Sequence, residues 1–287
     1  MKYQYKRERS EFWVTIYENA DASYNISTNN KYVRLINFFF PMFENDSPTK
    51  WKRSETYSSL WLPEGRYDQN VVKSFMNWCI GVTQDVLWLY LNKNISPYFD
   101  DELDYCIASD FNFDLVYGNG RTEIGKAEYE LKYNISNLSR SERAKYADII
   151  INKMMDNCKY IPINNRDDWY LSPMPASESG KGKLAWLLAD EIAHRMGISF
   201  INAELKCDKP QMKQLSIADK VTVWREIYYN GNVQIDKNVR GKNVIVIDDL
   251  YQSGTTMWQY ASFLKEMGAR MVFGVVCVKS LKDSDNI

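Results

Sequence analysis

Residues 244–247 constrain the fold more than any other part of the chain. Their sequence, Val-Ile-Val-Ile, is an unbroken run of β-branched apolar residues, which is typical of a strand buried on both faces of a parallel sheet. Two acids, Asp248 and Asp249, follow directly, and a short polar turn comes next. Ligands of open α/β sheets bind beyond the carboxyl ends of the strands. The pattern therefore predicts a ligand site at the end of this strand.

The residues after the strand suit a phosphorylated sugar. The start of the following helix offers unpaired N–H groups and the positive end of the helix dipole. The hydroxyl groups within residues 253–256 add donors, and Gly254 lets the backbone approach a ligand closely. The carboxylates of Asp248 and Asp249 can accept hydrogen bonds from ribose hydroxyls and favour a ribosyl ring that becomes cationic. An ordinary strand–turn–helix is the alternative.

The string 244–256 resembles the phosphoribosyl diphosphate (PRPP) signature of type I phosphoribosyltransferases. The resemblance implies an α/β fold: a type I phosphoribosyltransferase-like (Rossmann-like) parallel sheet flanked by helices. It also implies that Asp248 and Asp249 are catalytic residues that contact the ribose 2′ and 3′ hydroxyls. It assigns the loop that holds the 5′-phosphate to Gln252, Ser253, Gly254, Thr255 and Thr256. Tyr251 and Gln252 occupy variable positions of the motif and are predicted to face the loop entrance.

A second polar segment, residues 173–183, follows a strand predicted at Trp169–Ser172 and opens a helix. Its glycines and lysines at a helix start can bind an anion, although a solvated loop is the alternative. By the same resemblance it is the pyrophosphate loop, with contacts from Ala176, Ser177, Ser179, Gly180 and Lys181. Pyrophosphate calls for Mg²⁺, which is held mainly through the substrate. We therefore name no protein ligand of the metal.

Residues 208–216 are polar and contain a proline, which predicts a mobile lid with Lys209 and Gln211 as its contacts. A plain surface loop is the alternative. The segment resembles the ComF-like subgroup, related to competence proteins, at Lys209, Pro210, Gln211 and Leu215, with Arg225 as a further candidate match. Residues 128–133, Glu-Tyr-Glu-Leu-Lys-Tyr, resemble the segment that opens the ComF-like domain.

The resemblance covers roughly residues 120–280, and two departures from the subgroup matter. The cysteine zinc ribbon common at the N-terminus of ComF-like proteins is missing, which puts a shared role in DNA uptake in doubt. No base-recognition motif of the purine or pyrimidine salvage enzymes is evident, so the acceptor stays open.

Composition narrows the class of protein. The formal net charge is −1, so no global field draws the chain to nucleic acid or membranes. The five cysteines are far apart, which argues against a zinc site and a disulfide scaffold, and Cys277 is predicted to be core. The single histidine, His194, is predicted to be a plain residue near a helix end. No apolar run reaches spanning length, so we expect a soluble, cytoplasmic protein without a membrane partner.

The chain is predicted to have two regions. The second, residues 116–287, alternates strands and helices and is predicted to be the phosphoribosyltransferase-like domain. The first, residues 1–115, is predicted to be a mixed α+β region of unknown role, with a long helix over 69–91. Its many aromatic residues are predicted to be core, with a base-stacking platform as the alternative.

One string could mislead. Residues 120–126 satisfy the GxxxxGK pattern, but Ala127 stands where a P-loop needs Ser or Thr to hold Mg²⁺. Glu123 would also place a carboxylate inside the phosphate cradle. We interpret the string as a surface turn that leads into a helix or strand.

Three functions remain open at this stage. The first is a phosphoribosyltransferase that binds PRPP, or a related phosphorylated ribose, with Mg²⁺ and transfers the phosphoribosyl group to an unidentified acceptor. The second is a non-catalytic module that senses PRPP or a nucleotide. The third is a DNA-linked accessory protein of a competence or defence system, with nucleic acid as its partner. A homodimer is left open for each.

Overall fold

The computed structural model describes residues 1–91, 95–100, 102–115, 120–177, 183–208 and 215–281. The chain divides into two compact units, Met1–Trp88 and Leu89–Ile287. This division lies earlier than the predicted boundary near residue 115. The reason is that residues 105–111 form a strand that pairs within the sheet of the second unit.

The first unit combines an antiparallel sheet with helices, which confirms the mixed α+β prediction. The strands of the sheet lie in the order β1-β2-β3-β5-β4. Helix α2 contacts β5, and α3 contacts β1. In chain order the elements are β1 (Lys2–Lys6), β2 (Trp13–Glu18), β3 (Tyr24–Asn29), α1 (Val33–Phe39), α2 (Met42–Asp46), β4 (Lys52–Arg53), β5 (Tyr57–Leu62), α3 (Gln69–Gln84) and β6 (Leu87–Trp88).

Helix α3 is shorter than the helix predicted over 69–91. It ends at Gln84, and the chain turns into β6. The Trp88 side chain is fully buried, and its indole Nε1 donates a 3.0 Å hydrogen bond to the carbonyl of Val82. This hydrogen bond folds the chain back onto the last turn of α3. A helical hydrophobic pattern in the sequence does not predict such a contact.

Many aromatic residues of the first unit form its core, as predicted. Phe12 packs edge-on against Tyr32 and at a tilt against Trp88, with ring centroids 5.0 and 5.4 Å apart. Phe43 and Phe75 meet edge to face at 5.0 Å. All five side chains are essentially inaccessible to solvent. Edge-to-face pairs of this kind add stability beyond the buried area itself.

The second unit is an α/β fold with a parallel sheet flanked by helices, as the fold prediction states. Its strands lie in the order β10-β8-β13-β14-β7, and each neighbouring pair is parallel. In chain order the elements are β7 (Tyr105–Phe111), α4 (Glu123–Tyr133), α5 (Arg140–Asn157), β8 (Trp169–Pro173), β9 (Ala176–Ser177), α6 (Leu184–Met196), β10 (Ser199–Phe200), β11 (Ala203–Leu205), α7 (Ile217–Tyr229), β12 (Val233–Ile235), β13 (Asn243–Tyr251), α8 (Thr255–Glu266) and β14 (Met271–Lys279).

Local signals explain several of these boundaries. Ser139 and Glu142 form a capping box at the start of α5. Helix α6 ends at Met196, before Gly197, and His194 is an exposed residue of its last turn, as predicted. After α6 the chain forms two short strands that belong to different sheets: β10 pairs with β8, whereas β11 joins a small sheet of order β12-β11-β9.

The core of the second unit lies around β13 and β14. Residues 244–247 of β13 are completely buried, as is Cys277 of β14, which confirms the prediction for both. Two buried polar contacts fix helices to the sheet. Ser172 Oγ lies 2.7 Å from Tyr260 Oη, and Asn157 Nδ2 donates to Ser109 Oγ at 2.7 Å. No helix within the described residues is both long and apolar enough to cross a membrane.

The GxxxxGK string forms a helix start, in agreement with its interpretation as a turn. Thr122 caps α4 by accepting a 3.0 Å hydrogen bond from the backbone N–H of Gly125. A Cβ at Gly125 would lie 2.3 Å from the carbonyl oxygen of Asn112. This glycine is therefore needed for close packing of α4 against the end of β7.

Replacing Gly125 tests that packing. Gly125→Ala should destabilise the protein by about 2 kcal/mol, because a clash with backbone outweighs the better helix propensity of alanine. Gly120→Ala is the control, since a Cβ there meets nothing within 4 Å, and it should change stability by less than about 0.5 kcal/mol. Urea unfolding measures both. Equal stabilities of the two variants would contradict the packing role of Gly125.

Candidate functional site

The candidate site lies where β13 runs past its neighbour β8. Strand β8 ends at Pro173, which is opposite Ile247, and the next residue, Met174, donates a 2.9 Å hydrogen bond to the carbonyl of Ile247. Strand β13 continues alone on that side, while β14 still pairs with it as far as Tyr251. Among the described residues, no strand pairs with β13 beyond Ile247 on the β8 side, which is the carboxyl end of the sheet.

The two predicted acids point away from one another. Successive side chains of a strand leave opposite faces of the sheet. Asp249 forms a 2.9 Å ion pair with Lys132 of α4. Asp248 accepts a 2.8 Å hydrogen bond from the N–H of Asp249. The pKa of Tyr228 in α7 is raised well above its ordinary value, mainly by burial and then by Tyr260. The charge of Asp248 adds to this shift. The two carboxylates therefore have different ion-pair and hydrogen-bond partners.

A charged cluster surrounds Asp249. Lys132 Nζ also lies 3.6 Å from Glu128 Oε1, and the Glu128 side chain is only 3% exposed. Burial lowers the pKa of Lys132, but the nearby carboxylates of Asp249 and Glu128 outweigh it, so the pKa is raised. Burial raises the pKa of Glu128, and the charge of Lys132 opposes that shift without cancelling it. One lysine therefore serves two carboxylates.

The predicted phosphate loop is a short bend followed by a helix start. The bend comprises residues 252–254, and α8 begins at Thr255. Gln252 is exposed, and Ser253 Oγ lies 3.1 Å from Thr255 Oγ1. Ser253 Oγ also accepts a long 3.5 Å hydrogen bond from the Thr255 N–H. Thr256 is half-buried within the same first turn. The structure thus gathers the predicted loop residues at the N-terminus of one helix.

Tyr251 is not at the loop entrance, contrary to prediction. Its side chain is buried, and its hydroxyl donates a 3.2 Å hydrogen bond to the carbonyl of Tyr90. The ring fills the space beside Gly254, where a Cβ would lie 2.1 Å from Tyr251 Oη. Gly254 also has φ +91°, a backbone conformation that favours glycine. The buried Tyr251 ring therefore packs against the bend at Gly254.

Lys279 fastens the bend to the neighbouring strand. Its Nζ donates a 2.9 Å hydrogen bond to the carbonyl of Gln252 and a 3.1 Å hydrogen bond to the carbonyl of Ser280. The backbone N–H of Ser280 donates to the carbonyl of Tyr251 at 2.8 Å. The end of β14 thus holds the loop through the backbone carbonyls of Tyr251 and Gln252.

Part of the predicted pyrophosphate loop is described. Ala176 and Ser177 form β9, which pairs in parallel with residues 204 and 205 of β11. The remaining predicted contacts, Ser179, Gly180 and Lys181, lie outside the described residues, as do the lid residues Lys209 and Gln211. Helix α6 begins at Leu184, as the helix start predicted after this segment requires.

Arg225 contacts a different part of the second unit. Its guanidinium donates a hydrogen bond to the carbonyl of Tyr98 and lies 5.9 Å from the centre of the Phe99 ring. On the lid side, Ser216 caps α7, and its hydroxyl donates to Asp219 Oδ2 at 2.7 Å. Arg225 is therefore committed to residues 98–99 in this structure.

Three contributors to the site escaped sequence reasoning. Glu128 and Lys132 stand in the segment that resembles the opening of the ComF-like domain, but nothing in their local pattern indicates a partner 117 positions later in the chain for Lys132. Lys279 ends a buried strand and resembles any edge lysine. Packing of α4 on the sheet brings Lys132 to Asp249. Parallel pairing of β14 with β13 brings Lys279 to the bend that follows the acids.

The donor set suits Mg²⁺ held partly through a substrate. Carboxylate oxygens are the ligands that Mg²⁺ prefers, usually one or two of them. Asp248 and Asp249 supply such oxygens at the open edge. Within the described residues no group of three or more His, Cys, Asp or Glu side chains could form an all-protein metal cage. A magnesium ion at this edge would take the rest of its ligands from phosphate and water.

Comparison with known proteins gives limited similarity. No family model matches the chain. Over 41 residues it is 44% identical to the ribose-phosphate pyrophosphokinase of Pyrococcus abyssi, a stretch that covers 14% of this chain and 14% of that protein.

Solved structures with some likeness are phosphoribosyltransferases. The hypoxanthine phosphoribosyltransferase of Staphylococcus aureus has 14% identity and a TM-score of 0.31, covering 46% of this chain and 64% of that one. The adenine phosphoribosyltransferase of Thermoanaerobacter pseudethanolicus has 15% identity and a TM-score of 0.30, covering 48% and 82%. Because the identities and TM-scores are this low, we argue the chemistry of the site from the residues of this chain alone.

Proposed function

We propose that the second unit binds PRPP with Mg²⁺ and transfers the phosphoribosyl group to an acceptor. One observation carries the proposal: two acids end the central strand of a parallel sheet, and a hydroxyl-rich bend leads from them into the N-terminus of α8. The acids can accept hydrogen bonds from a ribose, and the start of α8 a few residues later can donate hydrogen bonds to a phosphate. The short stretch shared with a ribose-phosphate pyrophosphokinase supports a phosphorylated ribose as the ligand.

The proposed binding mode divides the ligand among three parts of the site. The 5′-phosphate lies on residues 252–256, where backbone N–H groups and hydroxyls can donate to it. The ribose lies beside Asp248 and Asp249, and the pyrophosphate lies on the segment that begins with β9. Residues 208–216 would cover the ligand and exclude water, which strengthens every charge interaction inside the site.

In the proposed reaction the bond between ribose C1 and pyrophosphate breaks, and pyrophosphate leaves with the electron pair. The ribosyl ring becomes cationic, and a nucleophile of the acceptor donates its electron pair to C1. The carboxylates at the end of β13 stabilise the positive ring, while the loops hold the reacting atoms in line. Mg²⁺, when bound, would neutralise charge on the leaving pyrophosphate.

Lys132 has a positioning role in this proposal. Its ion pair with Asp249 holds one carboxylate on the α4 face, and the buried Glu128 shares the same ammonium. An acid that is held in advance reorganises less when charge develops on the ribose. The cluster of two acids and one lysine keeps a net negative charge, which suits a cationic transition state.

A PRPP- or nucleotide-sensing module is the second candidate function. It would use the same phosphate and ribose contacts without an acceptor. Exchange of labelled pyrophosphate into PRPP separates the two, because exchange requires the C1–pyrophosphate bond to break. Exchange supports the transferase, and tight binding without exchange supports the sensor.

Removing the acids tests the site. Asp248→Asn/Asp249→Asn should weaken binding of PRPP with Mg²⁺ at least about tenfold, or about 1.4 kcal/mol, because two ribose acceptors lose their charge. Calorimetric titration measures the affinity. The matched control is Asp167→Asn/Asp168→Asn, an adjacent acid pair that precedes β8 at the opposite end of the sheet and should leave PRPP affinity unchanged.

Two results would contradict the proposed function. Full affinity in Asp248→Asn/Asp249→Asn would place PRPP elsewhere. Failure of the wild-type protein to bind PRPP would leave the motif as a scaffold without its ligand.

Replacing Lys132 tests the charged cluster. Lys132→Met should destabilise the protein by about 3 kcal/mol near neutral pH, because Asp249 and Glu128 lose their shared counter-charge. Since the pKa of Lys132 is raised in the folded protein, its stabilisation is fully present at neutral pH and disappears only under strongly alkaline conditions. In the variant, the deficit should shrink as the pH falls from about 7.5 to about 5, because burial raises the pKa of Glu128 and this carboxylate then takes up a proton.

Urea unfolding at both pH values measures the effect. Lys126→Met is the control, since Lys126 is an exposed lysine of the same helix and its loss should change stability by less than about 0.5 kcal/mol. A deficit in Lys132→Met that does not depend on pH would show that packing, rather than charge, accounts for the loss.

A further inference from the structure

The outer face of the antiparallel sheet in the first unit carries a distinctive set of side chains. Directly opposed residues of an antiparallel sheet share a face. One row across the strands consists of Lys2, Tyr17, Asn25 and Trp61. The next row consists of Gln4, Thr15, Ser27, Ser59 and Lys52. Two further pairs, Lys6 with Trp13 and Asn29 with Tyr57, complete this outer face.

The opposite face of the same sheet supplies the core. Val14, Ile16, Ile26, Leu60 and Leu62 are all buried. The outer face, by contrast, holds no aliphatic side chain at any of its strand positions. Because the core is built from one face alone, the fold does not account for the aromatic residues on the other.

Those aromatic side chains are open to solvent. Tyr57 is 44% exposed, Tyr17 is 42% exposed and Trp61 is 38% exposed. Tyr17 and Trp61 stand two strands apart, with Asn25 between them, which corresponds to about 10 Å. Exposed rings grouped on one flat face usually mark a binding surface.

The charge of this face is positive. Lys2, Lys6 and Lys52 are exposed, and none of the strand positions on the face is an acid. The Nζ of Lys2 lies 5.4 Å from the centre of the Tyr17 ring, so charge and ring are adjacent. A chain with a formal net charge of −1 thus concentrates positive charge where its aromatic rings are open.

We propose that this face binds a single-stranded polynucleotide. Its bases stack on Tyr17, Tyr57 and Trp61, and its phosphates contact the lysines. Aromatic rings beside positive charge are the two elements that such proteins combine, because every base has a face that can stack. The amide and hydroxyl groups between the rings can donate and accept hydrogen bonds along the sugar–phosphate backbone.

The composition of the face disfavours a protein partner. The centre of a protein–protein interface is apolar and depleted of lysine, whereas this face carries lysines and has no aliphatic residue. Duplex nucleic acid is also disfavoured, because its bases are stacked inside the helix and cannot reach the rings. The phosphates of an unpaired strand can contact the lysines, and its bases can stack on the rings.

The test is fluorescence anisotropy of fluorescein-labelled oligouridine and oligothymidine of about 12 nucleotides, titrated with the full chain. Either single strand should bind, and a duplex of equal length should bind at least tenfold more weakly. Trp61→Ala and Tyr17→Ala should each weaken binding about tenfold. Trp61→Phe should keep affinity within about threefold, since a ring remains. Phe38→Ala, an exposed aromatic of α1, is the control and should bind like the wild type.

Salt dependence tests the lysines separately. Replacing both Lys2 and Lys52 with alanine should reduce the slope of log affinity against log salt by about 1.4, or about 0.7 for each lost phosphate contact. Lys73→Ala, an exposed lysine of α3, should leave the slope unchanged. The proposal is overturned if neither strand binds at about 50 mM salt, if the duplex binds equally well, or if folded Trp61→Ala binds with full affinity.

Discussion

Burial of β13 on both faces is the constraint from which the arrangement of the second unit follows. Each of the four side chains at 244–247 contributes roughly 1.5–3 kcal/mol by leaving water. Helices must cover both sides of the sheet to achieve this. The strand therefore carries its next two residues, Asp248 and Asp249, to opposite sides of the sheet edge, each facing a different helix layer.

That alternation determines the electrostatics of the site. On one side Asp249 meets Lys132 and, through it, Glu128, in a cluster that is largely screened from water. On the other side Asp248 lies close enough to α7 to raise the pKa of Tyr228, together with burial. Next to the bend, the Tyr251 hydroxyl donates to the carbonyl of Tyr90 and Lys279 donates to the carbonyl of Gln252, so both side chains hold the loop before α8.

The first unit uses its aromatic residues in two different ways. In the first unit the rings of Phe12, Tyr32 and Trp88 form a core, whereas Tyr17 and Trp61 lie on the opposite side of the sheet, exposed among lysines. A ring in the sequence has equal hydrophobic content in both places. Its surroundings decide whether it stabilises the fold or is free to bind a ligand.

The sequence by itself determined the local elements whose signals are contiguous: the strand at 244–247, the end of α6 and the polar bend before α8. It misplaced the end of α3 and the position of Tyr251, and it did not give the division of the chain after Trp88. It also gave no partner for Asp249. Those features depend on parallel pairing of β7 and β14, on register across the antiparallel sheet and on packing of α4, all of which join residues far apart in the chain. Contacts of that kind leave no periodic trace in a sequence, and only the tertiary structure decides them.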